Sequence, residues 1–250
     1  MTAVVPLKTK EELEIMRRAG RVVAEVLKRV GDEIRPGVNT KRLDEIAEEF
    51  IRSQKAVPAF KGYMGYPATL CASINEEVVH GIPGPRLLAE GDVVGIDVGV
   101  KLEGYFADAA RTFPVGKVDR ESRRLIDVTR EALKRAIGQA IEGNQLSDIS
   151  WAVQSFAEKE GFSVVRQYVG HGIGKSLHEE PQVPNFGKPH QGPKLVEGMA
   201  LAIEPMLNAG TYEVEVLADG WTVVTRDRKR SGHFENTVFV GKGRAEIITE

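Results

Sequence analysis

Val93-Val-Gly-Ile-Asp97-Val-Gly-Val100-Lys-Leu-Glu-Gly104-Tyr-Phe-Ala-Asp108-Ala-Ala is two β-rich runs around a short polar turn, and each run carries one aspartate in apolar company. The alternation predicts strands over 93–100 and 105–113. Asp is depleted in strands and a buried, unpaired carboxylate is very costly, so each aspartate needs a partner. If residues 101–104 form the turn, its centre falls between Leu102 and Glu103. That sets Asp97 opposite Asp108, with Cβ atoms about 4.5–5.5 Å apart. Like charges held there repel unless a cation lies between them or one takes a proton. For a single such acid the plainer reading is an ion pair, and Arg111 stands three residues after Asp108.

Outward from this hairpin, the chain reads as two halves in the same order. Thr9-Lys-Glu-Glu12 is a capping box, and Leu13, Met16, Ala19, Val23, Val26, Leu27 and Val30 follow at helical spacing, with a stop expected at Gly31. Leu43, Ile46, Ala47 and Phe50 mark a second helix, then β-rich runs cover 69–74 and 77–79. Beyond the hairpin, helical spacing returns over 121–141, Gly143 breaks it, and Leu146, Ile149, Val153 and Phe156 open another helix. Strands are expected over 163–169, 199–203, 213–216, 222–225 and 237–240. Two strings recur: His80-Gly-Ile as His171-Gly-Ile, and Glu90-Gly91 leading to Ile96-Asp97 as Glu197-Gly198 leading to Ile203-Glu204. The repetition predicts an α+β fold of two related halves, and without a linker or low-complexity tract a single domain over 1–250 is expected.

At 250 residues, 42% hydrophobic and 28% charged, the chain has the composition of an ordinary globular domain, which argues against disorder. A net charge of −2 gives no broad nucleic-acid or anionic-membrane footprint. The one cysteine, Cys71, cannot form an intramolecular disulfide, which fits a reducing compartment. With no basic, apolar leader at the start and no membrane-length apolar run, a soluble, cytoplasmic protein is expected.

The second half offers its own acid pair. A hairpin turning at Asp219-Gly220 would set Glu204 opposite Glu235, but both lie far from the turn, so irregularities are expected to spoil that register. One acid beside a strand favours the plain reading; four, in two duplicated pairs, favour a metal site. His80, His171 and His178 are expected in Gly-rich loops beside the acid-bearing strands, whereas His190 and His233 read as solvated side chains. This oxygen-rich set favours Mn, Fe or Co over a structural zinc site. It holds too many ligands for one ion, and two ions sharing carboxylates imply metal-assisted hydrolysis. Spacing alone names no substrate.

These residues resemble the type I methionine aminopeptidases, of the pita-bread fold shared with creatinase and proline-specific peptidases. The resemblance rests on Gly62-Tyr-Met-Gly-Tyr-Pro67, Ser73-Ile-Asn-Glu-Glu-Val-Val-His80-Gly-Ile-Pro83, Asp97 with Asp108, Gly170-His171-Gly-Ile-Gly174, His178-Glu-Glu-Pro181, Ala202-Ile-Glu-Pro-Met206 and Phe234-Glu-Asn-Thr237. It runs from about Thr9 to Ile248. It implies pseudo-symmetric halves with an antiparallel sheet covered by helices, and removal of the initiator methionine from nascent chains whose second residue is small. Asp97, Asp108, His171, Glu204 and Glu235 would hold two divalent ions (Co, Mn or Fe), with Asp108 and Glu235 bridging.

By the same resemblance the ions would activate a water, Glu204 would accept its proton, His178 would stabilise the oxyanion and His80 would contact the scissile amide. Tyr63, Tyr66, Cys71 and Trp221 would form the methionine pocket, and Asn75 and Ser231 would flank a monovalent cation. The implied partner is the nascent peptide, with the chain a monomer; Arg226, Arg228, Lys229 and Arg230 read as a solvated turn, with a transient ribosome contact as the sharper alternative. The chain's own Met1-Thr2 start meets the rule for self-processing. Phe60, Leu177 and Asn236 depart from the residues usual in relatives, which bears on the pocket and on the surroundings of Glu235. Two rivals stand beside this reading: a proline-specific aminopeptidase of the same fold, and a non-catalytic relative that binds nascent chains or ribosomes.

Overall fold

The computed structural model describes residues 5–250, so Met1-Thr2 lies outside the described residues. The first half runs α1 (Lys10–Glu33), α2 (Thr40–Ser53), β1 (Val57–Pro58), a 3-10 turn (Tyr63–Gly65), β2 (Leu70–Ile74), β3 (Glu77–Val79), β4 (Val93–Leu102) and β5 (Tyr105–Pro114). The second runs α3 (Arg120–Ile137), α4 (Leu146–Lys159), β6 (Ser163–Val164), β7 (Gly170–Gly172), β8 (Glu179–Val183) and β9 (Ala200–Ile203). It ends with β10 (Met206–Asn208), β11 (Val214–Val216), β12 (Val223–Thr225), β13 (Ser231–His233), β14 (Asn236–Phe239) and β15 (Glu246–Ile247).

Thr9 and Glu12 close the expected capping box: Glu12 N donates to Thr9 Oγ1 at 3.3 Å and Thr9 N donates to a Glu12 carboxylate oxygen at 2.8 Å. The helix passes Gly31 instead of stopping there. That glycine leaves room for the Phe113 ring, which a Cβ would approach to 2.7 Å. One apolar core lies between α1 and α2 and the sheet of β4 and β5; a second lies under α3 and α4, against β9 and β14. The repeated string has a repeated conformation too, since Gly91 and Gly198 take φ of 91° and 92° just before β4 and β9.

In the first half, β4 pairs with β5 along one edge and with β1 and β2 along the other. In the second, the strand order is β15-β14-β9-β7-β8. Gly170 to Gly172, expected as a loop, is therefore an internal strand. Its glycines are a packing requirement, because a Cβ on Gly170 would strike the Ala202 carbonyl and one on Gly172 the Glu180 carbonyl. Two further three-stranded sheets, β13-β10-β6 and β11-β12-β3, complete the fold, with β12 carrying the second half onto β3 of the first.

The hairpin registers depart from expectation in opposite ways. Leu102 pairs with Tyr105, and Glu103 (φ 47°) and Gly104 (φ 89°) make the turn. Both turn residues are left-handed, as the two-residue type I′ loop requires. The centre thus moves on by one position, so Asp97 faces Ala110 while Asp108 faces Gly99. The aspartates share a face as diagonal neighbours, and direct opposition is not what brings them together. The second-half register, expected to be spoiled, holds throughout: Ile203 pairs with Asn236, Met206 with His233 and Val214 with Thr225, all about a centre at Asp219-Gly220. Glu204 and Glu235 fall opposite one another where β9–β14 gives way to β10–β13.

Candidate metal centre

The two acid pairs meet because β5 runs against β13 and β14. Glu235 N donates to the Ala110 carbonyl at 2.9 Å, Asp108 N donates to Thr237 Oγ1 at 3.1 Å, and Thr237 Oγ1 returns a hydrogen bond to Asp108 Oδ1 at 3.0 Å. Thr112 and His233 exchange hydrogen bonds in the same way, hydroxyl to carbonyl at 2.7 Å and backbone N–H to hydroxyl at 2.9 Å. These links join the halves at the acids themselves.

Among the described residues, ligand atoms of Asp108, His171 and Glu235 lie within 4.8 Å of one another, and all three side chains are buried. His171 Nε2 stands 3.6 Å from both Asp108 Oδ2 and Glu204 Oε1, while its Nδ1 lies 2.9 Å from the Gly172 carbonyl. That second contact orients the ring, as a metal-binding imidazole needs. Asp97 completes the set from β4, and its Oδ1 is buried with no hydrogen-bond partner. Arg111 neutralises none of them directly. Its guanidinium donates to the Glu235 carbonyl, to Asn236 Oδ1 and to the Thr249 carbonyl, so the ion-pair reading of Asp108 fails.

Burial dominates the electrostatics. It pushes Asp97 up to about 8, with Asp108 and Glu204 adding repulsion, and Glu204 likewise up to about 8. Asp108 is raised, and Glu235 is raised well above the ordinary glutamate range. Four carboxylates that resist ionisation together, one with an unsatisfied buried oxygen, fit a site built for positive charge. The donor set is oxygen-rich with one imidazole, which suits hard divalent ions.

A cavity of about 230 Å³ opens onto this cluster. Tyr66, Cys71, Val79, Tyr168 and Trp221 line it, together with Phe60, Tyr63, Met64 and Leu177. Tyr66 is fixed by hydrogen bonds from its hydroxyl to the Leu70 and Gly81 carbonyls, at 3.1 and 3.0 Å, and packs edge-on against Trp221 at 5.1 Å. Cys71 pairs with Asp97 across β2 and β4, and burial pushes its thiol well up. His80 takes φ 62° just after β3 and meets the Tyr168 ring edge-on at 5.6 Å. His178 meets the His171 ring edge-on at 4.3 Å, with its Nδ1 2.8 Å from the Tyr63 hydroxyl. Desolvation holds both His80 and His178 down to about 4, so each is a neutral imidazole at pH 7.

His233 overturns the expectation of a solvated side chain. It is buried at the end of β13, its Nε2 lacks a hydrogen-bond partner, and Glu204 Oε2 lies 3.6 Å away. The period-two face it shares with Glu235 would have found it. Thr237 and Tyr168 carry no such signal, since only tertiary packing brings them to Asp108 and His80. His190 is exposed beside Asp148, as expected. Asn75 and Ser231 are neighbours, Ser231 N donating to the Asn75 carbonyl at 2.8 Å. Of the basic run, Arg228 is paired with Glu215 and Arg230 with Asp119, and Arg226, Arg228 and Lys229 are exposed.

No helix among the described residues is long and apolar enough to cross a membrane. The model of metallopeptidase family M24 matches residues 14–242. The chain is 52% identical over 242 residues to methionine aminopeptidase 1 of Bacillus subtilis, covering 97% of this chain and 98% of that protein. It is 46% identical over 247 residues to the methionine aminopeptidase of Escherichia coli, covering 98% and 94%. The crystal structure of a methionine aminopeptidase from Thermotoga maritima superposes with a TM-score of 0.98 at 44% identity, covering 99% of this chain and 100% of that one. Prolidase from Pyrococcus furiosus reaches 0.78 at 23% identity over 98% and 65%, a likeness of fold alone.

Proposed function

The chain belongs to metallopeptidase family M24 and to the type I methionine aminopeptidases within it; from that premise we propose that it removes the N-terminal methionine from nascent peptides whose second residue is small. The observation that carries this reading is the union of one apolar cavity with all five expected ligands: Asp97, Asp108, His171, Glu204 and Glu235 line the same space as Tyr66, Cys71 and Trp221.

The five would hold two divalent ions. When bound, such ions lower the pKa of water and polarise a carbonyl. Everything else falls to the chain. Tyr63, Tyr66, Cys71 and Trp221 take up the methionine side chain, whose unbranched thioether adapts to an irregular cavity. Glu204, whose carboxylate stands between two imidazoles, accepts the proton released on attack. His178, neutral and held at Nδ1 by Tyr63, donates from its other nitrogen to the oxygen on which charge develops. His80 contacts the scissile amide. Asn75 and Ser231, already joined through their backbones, would flank a monovalent cation.

The test is a panel of Met-Xaa-Ser peptides, with Leu-Ala-Ser and Ala-Pro-Ser alongside, using stripped protein restored with Mn, Co or Fe. Met-Ala-Ser should be cut fastest. Leu at the first position should lose about 1–3 kcal/mol, because its early branch fits the pocket less well. Faster release from Ala-Pro-Ser would move the chain to the proline-specific branch, and no cleavage with any metal would favour a non-catalytic relative.

A further inference from the structure

We propose that His233 is a positioning residue for Glu204, its Nε2–H pinning the Glu204 oxygen that His171 does not face. This rests on the reading of Glu204 as a metal ligand. The carboxylate stands between two imidazoles, Oε1 at 3.6 Å from His171 Nε2 and Oε2 at 3.6 Å from His233 Nε2. His171 is engaged with Asp108 as well as Glu204, but His233 Nε2 is buried and has no hydrogen-bond partner.

A buried imidazole nitrogen without a partner is costly, and Glu204 Oε2 is the acceptor beside it. The 3.6 Å gap is a little longer than a hydrogen bond of about 2.7–3.2 Å, and a small carboxylate rotation closes it. With a cation bound, Glu204 is ionised and offers only lone pairs, so Nε2 must carry the hydrogen. The His233 backbone cannot drift, because its N–H and carbonyl both bond Thr112 Oγ1 and its strand pairs with Met206. Pinning Oε2 leaves Oε1 turned toward His171. Outer partners of this kind are typically worth about 10–100-fold in metal affinity or activity.

The experiment compares wild type with His233→Gln and His233→Leu. Gln can place an amide N–H near the position of Nε2, whereas Leu keeps apolar bulk without a donor. Mn(II) affinity of the stripped protein is read by calorimetry, and kcat and KM on Met-Ala-Ser separately. His233→Leu should bind Mn(II) about 10–100-fold more weakly with lower kcat and little change in KM, and His233→Gln should recover most of both. Equal Mn(II) affinity in wild type and His233→Leu, or no advantage of Gln over Leu, overturns the proposal. If His233→Leu does not fold, the tautomer of His233 in wild type decides by nitrogen-15 NMR: hydrogen on Nε2 supports the role and hydrogen on Nδ1 overturns it. Failure of wild type itself to bind Mn(II) would instead strike the metal-site reading.

Discussion

The two acid-bearing hairpins solve one problem by different means. In β4–β5 a two-residue turn feeds an unbroken ladder of ten pairs, and the aspartates sit on a diagonal of one sheet face. In the second half the strands part twice, into ladders of four, three and three pairs, and the glutamates sit at a break. The longer hairpin nevertheless keeps one register from end to end. Its interruptions are matched: Glu204-Pro205 leaves the ladder opposite Phe234-Glu235, and residues 209–213 bow out opposite 226–230. Arg226 N still reaches the Glu213 carbonyl at 3.0 Å, and Ala209 N the Arg230 carbonyl at 2.9 Å. Distance from a turn does not erode register; an unmatched residue does.

The largest effect expected from this comparison concerns the acids shared between the hairpins. Asp108→Asn and Glu235→Gln each remove one charge from a cluster to which both hairpins contribute. Activity should fall by more than the about 10²–10³-fold typical of losing one oxyanion donor, with the fold retained. Normal turnover at full metal occupancy in either variant would break the symmetry of roles between the two hairpins.

His178 lies outside both hairpins, so His178→Ala separates chemistry from metal binding. A loss of about 2.7–4 kcal/mol in transition-state stabilisation, roughly 10²–10³ in kcat, is expected with metal content unchanged. Loss of a metal ion on its removal would make it a ligand and reassign the roles of His171 and His178.

The carboxylates also set a pH dependence for metal-free protein. Asp97 and Glu204 are held near 8, far above their unfolded values of about 4, so the folded state keeps protons that the unfolded state has released. Stability contributed by these groups therefore declines as pH rises from about 4 to 8. His80 and His178, lowered to about 4, act in the opposite sense below an unfolded value of about 6.5, so the clean window is pH 6.5 to 8. Thermal melting of stripped protein should show a lower Tm at pH 8 than at 6.5. Saturating Mn(II) should flatten the slope, and a rise in Tm across that window without metal would contradict the burial argument.

The smallest expected effect lies at the turns. Gly104 (φ 89°) and Gly220 (φ 77°) have no neighbour within 4 Å that a Cβ would meet, so alanine there should cost only the left-handed backbone penalty, about 1–2 kcal/mol in urea titration. An unchanged midpoint for Gly220→Ala alone would mean that the second register is held entirely by its ladders.

Much was legible from local chemistry. The Thr9 box, the helix faces, the duplicated strings and the four misplaced acids all follow from residue type and spacing, which act over one turn of helix or one strand pair. What stayed hidden depended on atoms distant in sequence. Gly31 looked like a stop because its role is to admit Phe113; Gly170 and Gly172 looked like a loop because the carbonyls they clear belong to other strands. The first turn lies one residue beyond its expected centre because Glu103 adopts a left-handed conformation that its type does not advertise. His233, a solvated side chain by its local sequence, is buried where β13 packs against β5. Residue type and spacing alone say which side chains bear charge and which strands carry Asp97 and Asp108. That the four acids share one cavity is settled by packing, because the two halves meet through Thr112, Thr237 and backbone groups, whose hydrogen bonds leave no periodic trace in the chain.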